Sequence, residues 1–405
     1  MTIAILDMFG SSGGVGSCTK EMLRQFEDEG VSTILCGQSH IVDSFYECRQ
    51  TIPHLRLTNL ERPRLSLRSL KIRMASKGNI NSLSLANVLI RETFKATSKG
   101  YDCPQIPILV NYPQVIPPPS NNLPYCLFLH DLNWRLYPGN FKSPALTDQN
   151  CRGWVNRAVK VITNSECTRD EVIEHYQCAP AKVVAAPLAP FDGGMSSEFD
   201  ASKYLASAGL LAGNFYLFPG VWGLHKGHDT LTEALEMSPV TDPVVVTCGM
   251  PRGSFGSNPR ALCMLRDSLA ARWDKLIEKR RLVVLGRVSE AEMQALRTSC
   301  RAYILPSRYE GYGFPMVEAV YHGRPAIVSD IKAHQEILKR YPQYKLARLI
   351  GAGSSQALAA ELISANQEFP HLPDNWKNSI KATWSWTNTV QTILSAMTVK
   401  AAVVT

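Results

Sequence analysis

The chain has 405 residues, which is enough for two domains with full hydrophobic cores, and a formal net charge of +8. Apolar residues make up 45% of it and charged residues 19%, a composition that excludes an intrinsically disordered protein. No run of 18 apolar residues occurs, so no transmembrane helix is expected. The 11 cysteines include no C-x-x-C pair, which argues against a zinc cluster or disulfide framework and predicts reduced thiols in a cytosolic protein.

The first residues predict a strand, a glycine-rich turn and a helix. The apolar run at residues 3–8 is short and follows no basic leader, so we expect a strand and not a signal peptide. Residues 10–17 would form the turn and residues 18–29 the helix. Within the turn, Gly14-Val15-Gly16 does not match G-x-G-x-x-G, so it suits a tight structural turn as well as phosphate binding.

Further strand candidates alternate with helical stretches along the whole chain. They lie at residues 31–36, 108–111, 125–130, 159–163, 215–218, 244–247, 282–285, 302–305 and 326–329. This alternation is typical of parallel sheets with helices on both faces. Prolines at residues 115–120 predict a loop, and the glycine- and serine-rich residues 191–197 predict a linker between two such α/β domains.

A basic segment lies at residues 56–77. Its Lys and Arg residues are interleaved with apolar residues and are opposed by the single acid Glu61. This composition suits an anionic membrane surface, where each cation contributes about 1 kcal/mol. A solvated helix face or an acceptor-binding surface fits equally well. Nucleic-acid binding is disfavoured, because no interleaved aromatic residues accompany the charge.

Lys226 lies in a loop that directly follows the strand candidate at residues 215–218. A cation at the carboxyl end of a strand can stabilise the diphosphate that departs when a glycosidic bond breaks. An isolated lysine in a loop is, however, more often a solvated surface residue. His225 and His228 flank this lysine, but two histidines around one lysine do not make a convincing metal pair.

The strongest signal is the run from Arg308 to Glu318, which reads RYEGYGFPMVE. A strand candidate precedes it and a helical stretch at residues 314–322 follows. A glycine-rich turn between strand and helix places backbone N–H groups at the positive end of the helix, where phosphates and sugar hydroxyls bind. Glu310 and Glu318, eight positions apart, can then both accept hydrogen bonds from hydroxyl groups in one crevice.

This run resembles the E-x7-E signature of retaining glycosyltransferases with the GT-B fold, of the family 4 or glycosyl transferases group 1 type. The match includes both acids, the intervening G-x-G-F-P and the small residue Ala319. The sequence around Lys226 resembles the donor-phosphate loop of mannosyltransferase-like members. His130, followed by Asp131, an aromatic loop and Pro138, is similar to the family's N-terminal catalytic region. The resemblance is strongest at residues 214–337 and weak at residues 40–105.

The resemblance implies two Rossmann-like domains facing a central cleft. Residues 1–192 would be the acceptor side, residues 193–382 the donor side, and residues 383–405 a terminal helix that crosses back to the N-terminal domain. His130, Lys226 and Glu310 are implied as catalytic residues. The implied donor-binding residues are Gly14, Val15, Gly16, Gly220, Lys226, Arg308, Glu310, Gly311, Tyr312, Gly313, Phe314 and Glu318. No D-x-D motif occurs, so no metal or other cofactor is expected.

The implied reaction is that of a hexosyltransferase. A hexose would move from a nucleoside diphosphate sugar to a hydroxyl of a glycan or lipid-linked glycan, with retention of configuration. The W-x-x-H-K stretch favours GDP-mannose, while a UDP-hexose stays open. One departure from the family is Val221, where many members carry an arginine; Arg308 or a backbone amide is expected to supply that positive potential.

Two other functions fit the same sequence. A nucleotide-sugar epimerase of GT-B fold would share the donor site and use acids for proton transfer. A non-catalytic sugar-nucleotide-binding subunit would need no turnover, although Glu310, Glu318, Lys226 and His130 are all present. The expected location is cytoplasmic, with peripheral contact to the inner face of the membrane if the basic segment binds anionic lipid.

Overall fold

The computed structural model describes residues 1–7, 13–37, 39–59, 107–112, 124–191, 199–239, 243–249, 260–364, 372 and 375–398. The chain folds as two compact units. Unit 1 comprises Met1–Leu132, Ser143–Leu188 and Ser385–Thr405, and unit 2 comprises Asn133–Lys142 and Ala189–Trp384. The proline-rich loop, nearly all of the linker and the basic segment beyond Asn59 lie outside the described residues.

Unit 1 contains a parallel sheet of seven strands in the order β3-β2-β1-β4-β5-β6-β7. The strands are β1 (Thr2–Asp7), β2 (Ser32–Gly37), β3 (Leu55–Asn59), β4 (Ile108–Asn111), β5 (Cys126–Leu129), β6 (Lys160–Thr163) and β7 (Val183–Ala185). Helices are numbered along the whole chain; those of unit 1 are α1 (Gly13–Asp28), α2 (Ser39–Asp43), α3 (Tyr46–Thr51), α5 (Pro144–Arg157), α6 (Glu166–Tyr176) and α15 (Trp386–Thr398).

Unit 2 contains a second parallel sheet, of six strands in the order β10-β9-β8-β11-β12-β13. The strands are β8 (Phe215–Pro219), β9 (Val244–Cys248), β10 (Leu282–Val284), β11 (Ala302–Leu305), β12 (Ala326–Ser329) and β13 (Ala347–Ile350). Its helices are α4 (Asn133–Leu136), α7 (Ala201–Ser207), α8 (His228–Met237), α9 (Arg260–Glu278), α10 (Glu290–Ser299), α11 (Phe314–Tyr321), α12 (Lys332–Arg340), α13 (Ser355–Ile363) and α14 (Trp376–Thr383).

The central strands explain the fold class. Strands β4, β5, β11 and β12 are buried at every position, because helices cover both faces of each sheet. Their apolar runs therefore lack the alternation of a half-exposed strand. In unit 2 the side chains of Tyr216, Trp273 and Ile304 belong to one continuous core. The predicted class, two α/β units with parallel sheets, is confirmed.

Local boundaries differ from the prediction in two places. Helix α1 begins at Gly13 and not at residue 18, so Gly14, Val15 and Gly16 lie in its first turn and not in a preceding loop. The first residues of the basic segment, 56–59, belong to the edge strand β3 (Leu55–Asn59), which the charge of the segment obscured. Its alternating Leu55 and Leu57 carry the strand period of two.

Two further features concern the limits of the units. Residues 133–142 fall in unit 2, although they precede the expected boundary at residue 192, because their side chains hydrogen-bond within unit 2. Helix α15 falls in unit 1, where Thr389 Oγ1 donates a hydrogen bond of 2.6 Å to the carbonyl of Pro187. The terminal helix is thus grouped with the N-terminal sheet.

A glycine determines how the chain enters helix α8. Gly227 precedes this helix with φ +75°, and a Cβ atom there would lie 2.3 Å from the carbonyl oxygen of Pro306. Gly213 has a similar φ of +76°, but no atom lies within 4 Å of its Cβ position. Substitution of Gly213 would therefore introduce backbone strain alone, whereas substitution of Gly227 would introduce strain and a steric collision.

We expect Gly213→Ala to lower the free energy of unfolding by about 1 kcal/mol, the usual cost of a left-handed alanine. Gly227→Ala carries the same strain plus the collision with Pro306, and should cost at least about 2 kcal/mol more. Urea denaturation of both variants measures this difference. Equal losses would show that the loop around Gly227 relaxes without cost.

Candidate functional site

Two loops of unit 2 carry most of the residues singled out by the sequence. One follows β8 and contains Gly220 and Lys226; the other follows β11 and contains Arg308, Glu310 and Gly313. Strands β8 and β11 are neighbours, with β9 on one side and β12 on the other, so the strand order reverses between them. Ligands of open parallel sheets bind outside the carboxyl ends of the strands at such a reversal. The topology therefore brings these predicted residues to a ligand-binding position.

An ion pair between Lys226 and Glu310 joins the two loops. Lys226 Nζ lies 2.8 Å from Oε1 and 2.9 Å from Oε2 of Glu310. Ser307 Oγ also donates to Glu310 Oε1, at 2.7 Å. Burial by itself raises the pKa of Glu310, but the charge and hydrogen bonds of Lys226, with help from Ser307, lower it to about 2. Glu310 is thus an ionised carboxylate that holds the ammonium group in place.

The Lys226 loop is fixed by a second set of contacts. The backbone N–H of Arg308 donates to the carbonyl of His225 at 2.7 Å. Asn140 Oδ1 accepts from the N–H of Leu224 at 2.9 Å, so its Nδ2 faces His225 Nδ1, also at 2.9 Å. Burial and then Lys226 lower the pKa of His225 to about 4. His225 is therefore neutral, protonated at Nε2, and shapes the loop.

Arg308 is paired with an acid at the start of helix α8. Its Nη1 and Nη2 donate to the carboxylate of Asp229 at 2.7 and 2.9 Å, and Nη2 also donates to Thr230 Oγ1 at 2.9 Å. Hydrogen bonding to Asp229 raises the pKa of Arg308. Val221, where the family pattern has an arginine, is 56% exposed. The two loops therefore contribute two cations, each with its own carboxylate.

The turn into helix α11 depends on Gly313. This residue adopts φ +86° and caps the helix, and a Cβ atom there would lie 3.2 Å from His334 Cδ2. Tyr312 is buried, and the ring of Phe314 stacks on Phe191 with centroids 4.5 Å apart. The side chains of Tyr312 and Phe314 thus pack the turn. The N–H of Met316 donates to the carbonyl of Gly313 at 2.8 Å, and Pro315 has no N–H to offer.

Glu318 is held by a cation that the sequence analysis did not identify. Its Oε1 lies 2.7 Å from Nη2 of Arg297 on helix α10, and Arg297 also pairs with Glu290. Burial raises the pKa of Glu318, and Arg297 opposes that rise. The side chains of Glu318 and Arg297 are only 11% and 10% exposed. The two glutamates of the E-x7-E run therefore have different counter-ions.

The predicted site residues of unit 1 lie at the carboxyl ends of the strands of the seven-stranded sheet. Gly14 is exposed, with open space at its Cβ position, in the first turn of α1. His130 follows β5, is 6% exposed and has its Nε2 3.1 Å from Asn111 Oδ1. Burial lowers the pKa of His130 to about 3. His130 is therefore a neutral imidazole.

The described residues form neither a metal-binding cluster nor a membrane-spanning helix. They contain no group of three or more His, Cys, Asp or Glu side chains arranged to hold a metal ion. None of the helices among them is both long and apolar enough to span a bilayer.

Residues 209–382 match the family model for Glycosyl transferases group 1. A 102-residue segment is 31% identical to the MMP alpha-(1->4)-mannosyltransferase of Mycolicibacterium hassiacum and covers 24% of each chain. A 210-residue segment is 23% identical to the O-antigen chain mannosyltransferase RfbU of Salmonella typhimurium, and it covers 52% of this chain and 53% of RfbU. The chain thus matches about a quarter and about half of the length of these two relatives.

The structure of Anabaena Alr3699/HepE in complex with UDP and glucose resembles the whole chain. The TM-score is 0.68 at 16% sequence identity, with 98% of this chain and 99% of that chain covered. The fold is therefore that of the GT-B glycosyltransferases, two α/β domains each built on a parallel sheet. Lys226, Arg308, Glu310 and Glu318 all fall within the segment that matches the family model.

The low pKa of Glu310 predicts a specific dependence of stability on pH. Its pKa falls from 4.5 to about 2 on folding, so ionised Glu310 stabilises the fold above pH 4.5 and this contribution is lost as the pH drops toward 2. Between pH 5 and pH 3 the wild type should therefore lose about 2 kcal/mol more unfolding free energy than Glu310→Gln.

Urea denaturation of both proteins at pH 5, 4 and 3 measures that difference. Acids distant from the site titrate in both proteins, whereas His225, whose pKa Glu310 raises, responds to the same substitution. We also expect Glu310→Gln to be the less stable protein at pH 7, since Lys226 then lacks its counter-ion. Parallel curves from pH 5 to pH 3 would contradict the depressed pKa of Glu310.

Proposed function

We propose that this protein is a retaining glycosyltransferase that moves a hexose from a nucleoside diphosphate sugar to a hydroxyl of a glycan or lipid-linked glycan. The partly buried Lys226–Glu310 pair carries the proposal, because it lies at the strand-order reversal of unit 2, inside the segment that matches the family model. The mannosyltransferase relatives and the UDP and glucose in the HepE structure support it.

In this proposal Lys226 stabilises the leaving diphosphate. An ammonium group has three N–H donors, and the contacts to Oε1 and Oε2 of Glu310 occupy two of them. The third can meet a phosphate oxygen as negative charge develops on it. Because Glu310 holds Nζ before any ligand binds, this charge requires no reorganisation during the reaction.

The bond changes need no nucleophile from the protein. The bond between the anomeric carbon and the phosphate oxygen breaks, and its electron pair leaves with the diphosphate. The acceptor hydroxyl attacks from the same face, and its proton passes to the departing phosphate oxygen. His130 is neutral and supplies no proton.

The donor nucleotide is assigned to unit 2. Glu318, with Arg297 as its counter-ion, accepts hydrogen bonds from the ribose hydroxyls. The aligned peptide groups at the start of α11 add positive potential for the phosphates, as helix N-termini commonly do. We propose that these groups and Lys226 replace a metal ion, in keeping with a sequence that lacks a D-x-D motif.

GDP-mannose is the donor that we favour, from the W-x-x-H-K stretch and the two mannosyltransferase relatives. The UDP in the HepE structure makes a UDP-hexose the competing donor. The proposal further includes a cytoplasmic location with peripheral contact to anionic membrane through the basic segment.

Product release tests the reaction. The protein is incubated with GDP-mannose or UDP-glucose, with and without a panel of mannoside and glucoside acceptors, and free nucleoside diphosphate is measured. We expect release that depends on an acceptor and falls on the order of a hundredfold or more in Lys226→Met, because one preorganised charge is lost. Lys203→Met removes an exposed lysine of unit 2 and should keep full activity.

Lys226→Met also leaves the carboxylate of Glu310 without its counter-ion, so the folding of this variant must be checked. The double variant Lys226→Met/Glu310→Gln removes both charges and should be as inactive while restoring part of the lost stability. Near wild-type turnover in a folded Lys226→Met protein would refute the role of Lys226. Donor binding without release would indicate a binding subunit, and conversion of the sugar without release would indicate an epimerase.

Glu318→Gln keeps the shape of the side chain but replaces a charge-assisted hydrogen bond to ribose by a neutral one. Calorimetric titration with GDP and UDP should show a loss of about 1 to 2 kcal/mol in binding free energy. The nucleotide lacking both ribose hydroxyls should bind Glu318→Gln and the wild type about equally.

The control for this variant is Glu290→Gln. Glu290 is the other ion-pair partner of Arg297, and the Glu290 side chain is 62% exposed. The substitution leaves Glu318 itself unchanged. Nucleotide affinity should stay at the wild-type level there. If both variants lower the nucleotide affinity to the same degree, the loss arises from Arg297 and not from a contact between Glu318 and ribose.

A further inference from the structure

The sheet of unit 1 also reverses its strand order, and three buried polar side chains lie at that reversal. Strands β1 and β4 are neighbours, with β2 on one side and β5 on the other. Asp7 ends β1, Asn111 ends β4 and His130 follows β5. They are 1%, 0% and 6% exposed. This cluster occupies the position at which parallel sheets bind ligands.

The three residues form a chain of hydrogen bonds. Asn111 Nδ2 donates to Asp7 Oδ2 at 2.8 Å and to Thr19 Oγ1 at 3.0 Å. Thr19 Oγ1 lies 3.2 Å from the same carboxylate oxygen. His130 Nε2 lies 3.1 Å from Asn111 Oδ1. Both ends of the Asn111 amide group are therefore engaged.

The order of these bonds determines where the proton of His130 lies. A carboxylate accepts hydrogen bonds and does not donate them, so the amide nitrogen of Asn111 faces Asp7 and its carbonyl oxygen faces His130. A carbonyl oxygen only accepts, which requires the proton on His130 Nε2. Burial lowers the pKa of His130 to about 3, so the ring carries no second proton. Nδ1 is left with a lone pair.

The ring is also fixed in orientation. Tyr112 packs against it edge-on, with ring centroids 5.2 Å apart, and Phe128 packs at 4.8 Å. Nδ1 makes no hydrogen bond to any residue that the structure describes. A fixed acceptor of this kind recognises a hydroxyl group, which can donate, and not a phosphate, which at neutral pH chiefly accepts.

We propose that Asp7 and Asn111 are positioning residues that hold His130 as the Nε2–H tautomer, so that Nδ1 accepts a hydrogen bond from a hydroxyl-bearing ligand. The identity of that hydroxyl-bearing ligand rests on the proposed function. The tautomer does not, because it follows from the contacts within unit 1. Asp7 acts through Asn111 and touches no ligand itself.

Nitrogen NMR of the ligand-free, full-length protein tests the tautomer. With ring-labelled histidine at pH 7, the unprotonated nitrogen resonates far downfield of the protonated one, and loss of a signal pair in His130→Gln assigns the ring. The wild type should show a single Nε2–H tautomer. A protonated Nδ1 of His130, or a mixture of the two forms, overturns the proposal.

The isosteric variant Asp7→Asn tests the positioning role. Asn at this position can donate as well as accept, which allows the amide group of Asn111 to turn and present its nitrogen to His130. The His130 signals should then move toward a mixture of tautomers, although residue 7 does not contact the ring. Thr33→Val, at a buried position of β2 in the same sheet, should leave these signals unchanged. Unchanged His130 signals in a folded Asp7→Asn protein overturn the positioning role.

The hydrogen bond between His130 Nδ1 and a ligand hydroxyl is tested with the donor that the wild type turns over and with monodeoxy analogues of that donor. One analogue should lower kcat/KM on the order of tenfold in the wild type, the effect of one hydrogen bond, and have little further effect in His130→Ala. If no analogue separates the two proteins, His130 does not contact a sugar hydroxyl. If no donor is turned over at all, the proposed function fails while the NMR result still decides the tautomer.

Discussion

The partly buried ion pair between Lys226 and Glu310 is the interaction on which the site of unit 2 depends. The two residues are 84 positions apart in the chain and follow adjacent strands. A carboxylate with so little exposed surface costs several kcal/mol without its cation, so neither loop can move away from the other cheaply. The starts of helices α8 and α11 are thereby fixed as well, because each begins within a few residues of one partner. The ion pair thus fixes the relative positions of the two loops.

Charge in this site is arranged as pairs. Arg308 is matched by Asp229 and Glu318 by Arg297, so charges are positioned in advance by their own counter-ions. Such a site can bind a charged ligand without first accumulating like charge, which would repel itself in a poorly solvated region. Neutral His225 and His130 extend the same principle, since each is fixed by an asparagine and carries no charge that would need a partner.

The fold class and the two loops that contain Lys226 and Glu310 could be predicted from the sequence because their signals are local. Apolar strand runs, the glycines of the turn and the E-x7-E spacing each lie within a short stretch. Arg297 could not be found in this way, since its bond to Glu318 spans 21 residues and two helices, and nothing near it marks a buried cation. Asn111 was predicted only as the end of a strand, because its role emerges when the sheet order places β1 beside β4. Strand β3 was not predicted, because the charged residues of the basic segment obscured the short alternation of apolar and polar residues in this strand.

The assignment of residues 133–142 to unit 2 bears on how this molecule can be divided. This ten-residue excursion leaves unit 1 directly after Leu132 and returns to it at Ser143. A fragment spanning Ala189–Trp384 would contain the whole six-stranded sheet, yet it would lack Asn140 and so lose the support of His225 beside Lys226. Neither unit is a single continuous stretch of the gene. Exchange of one half of such a protein at a single crossover would therefore separate Asn140 from His225 and leave the loop that contains Lys226 without part of its support.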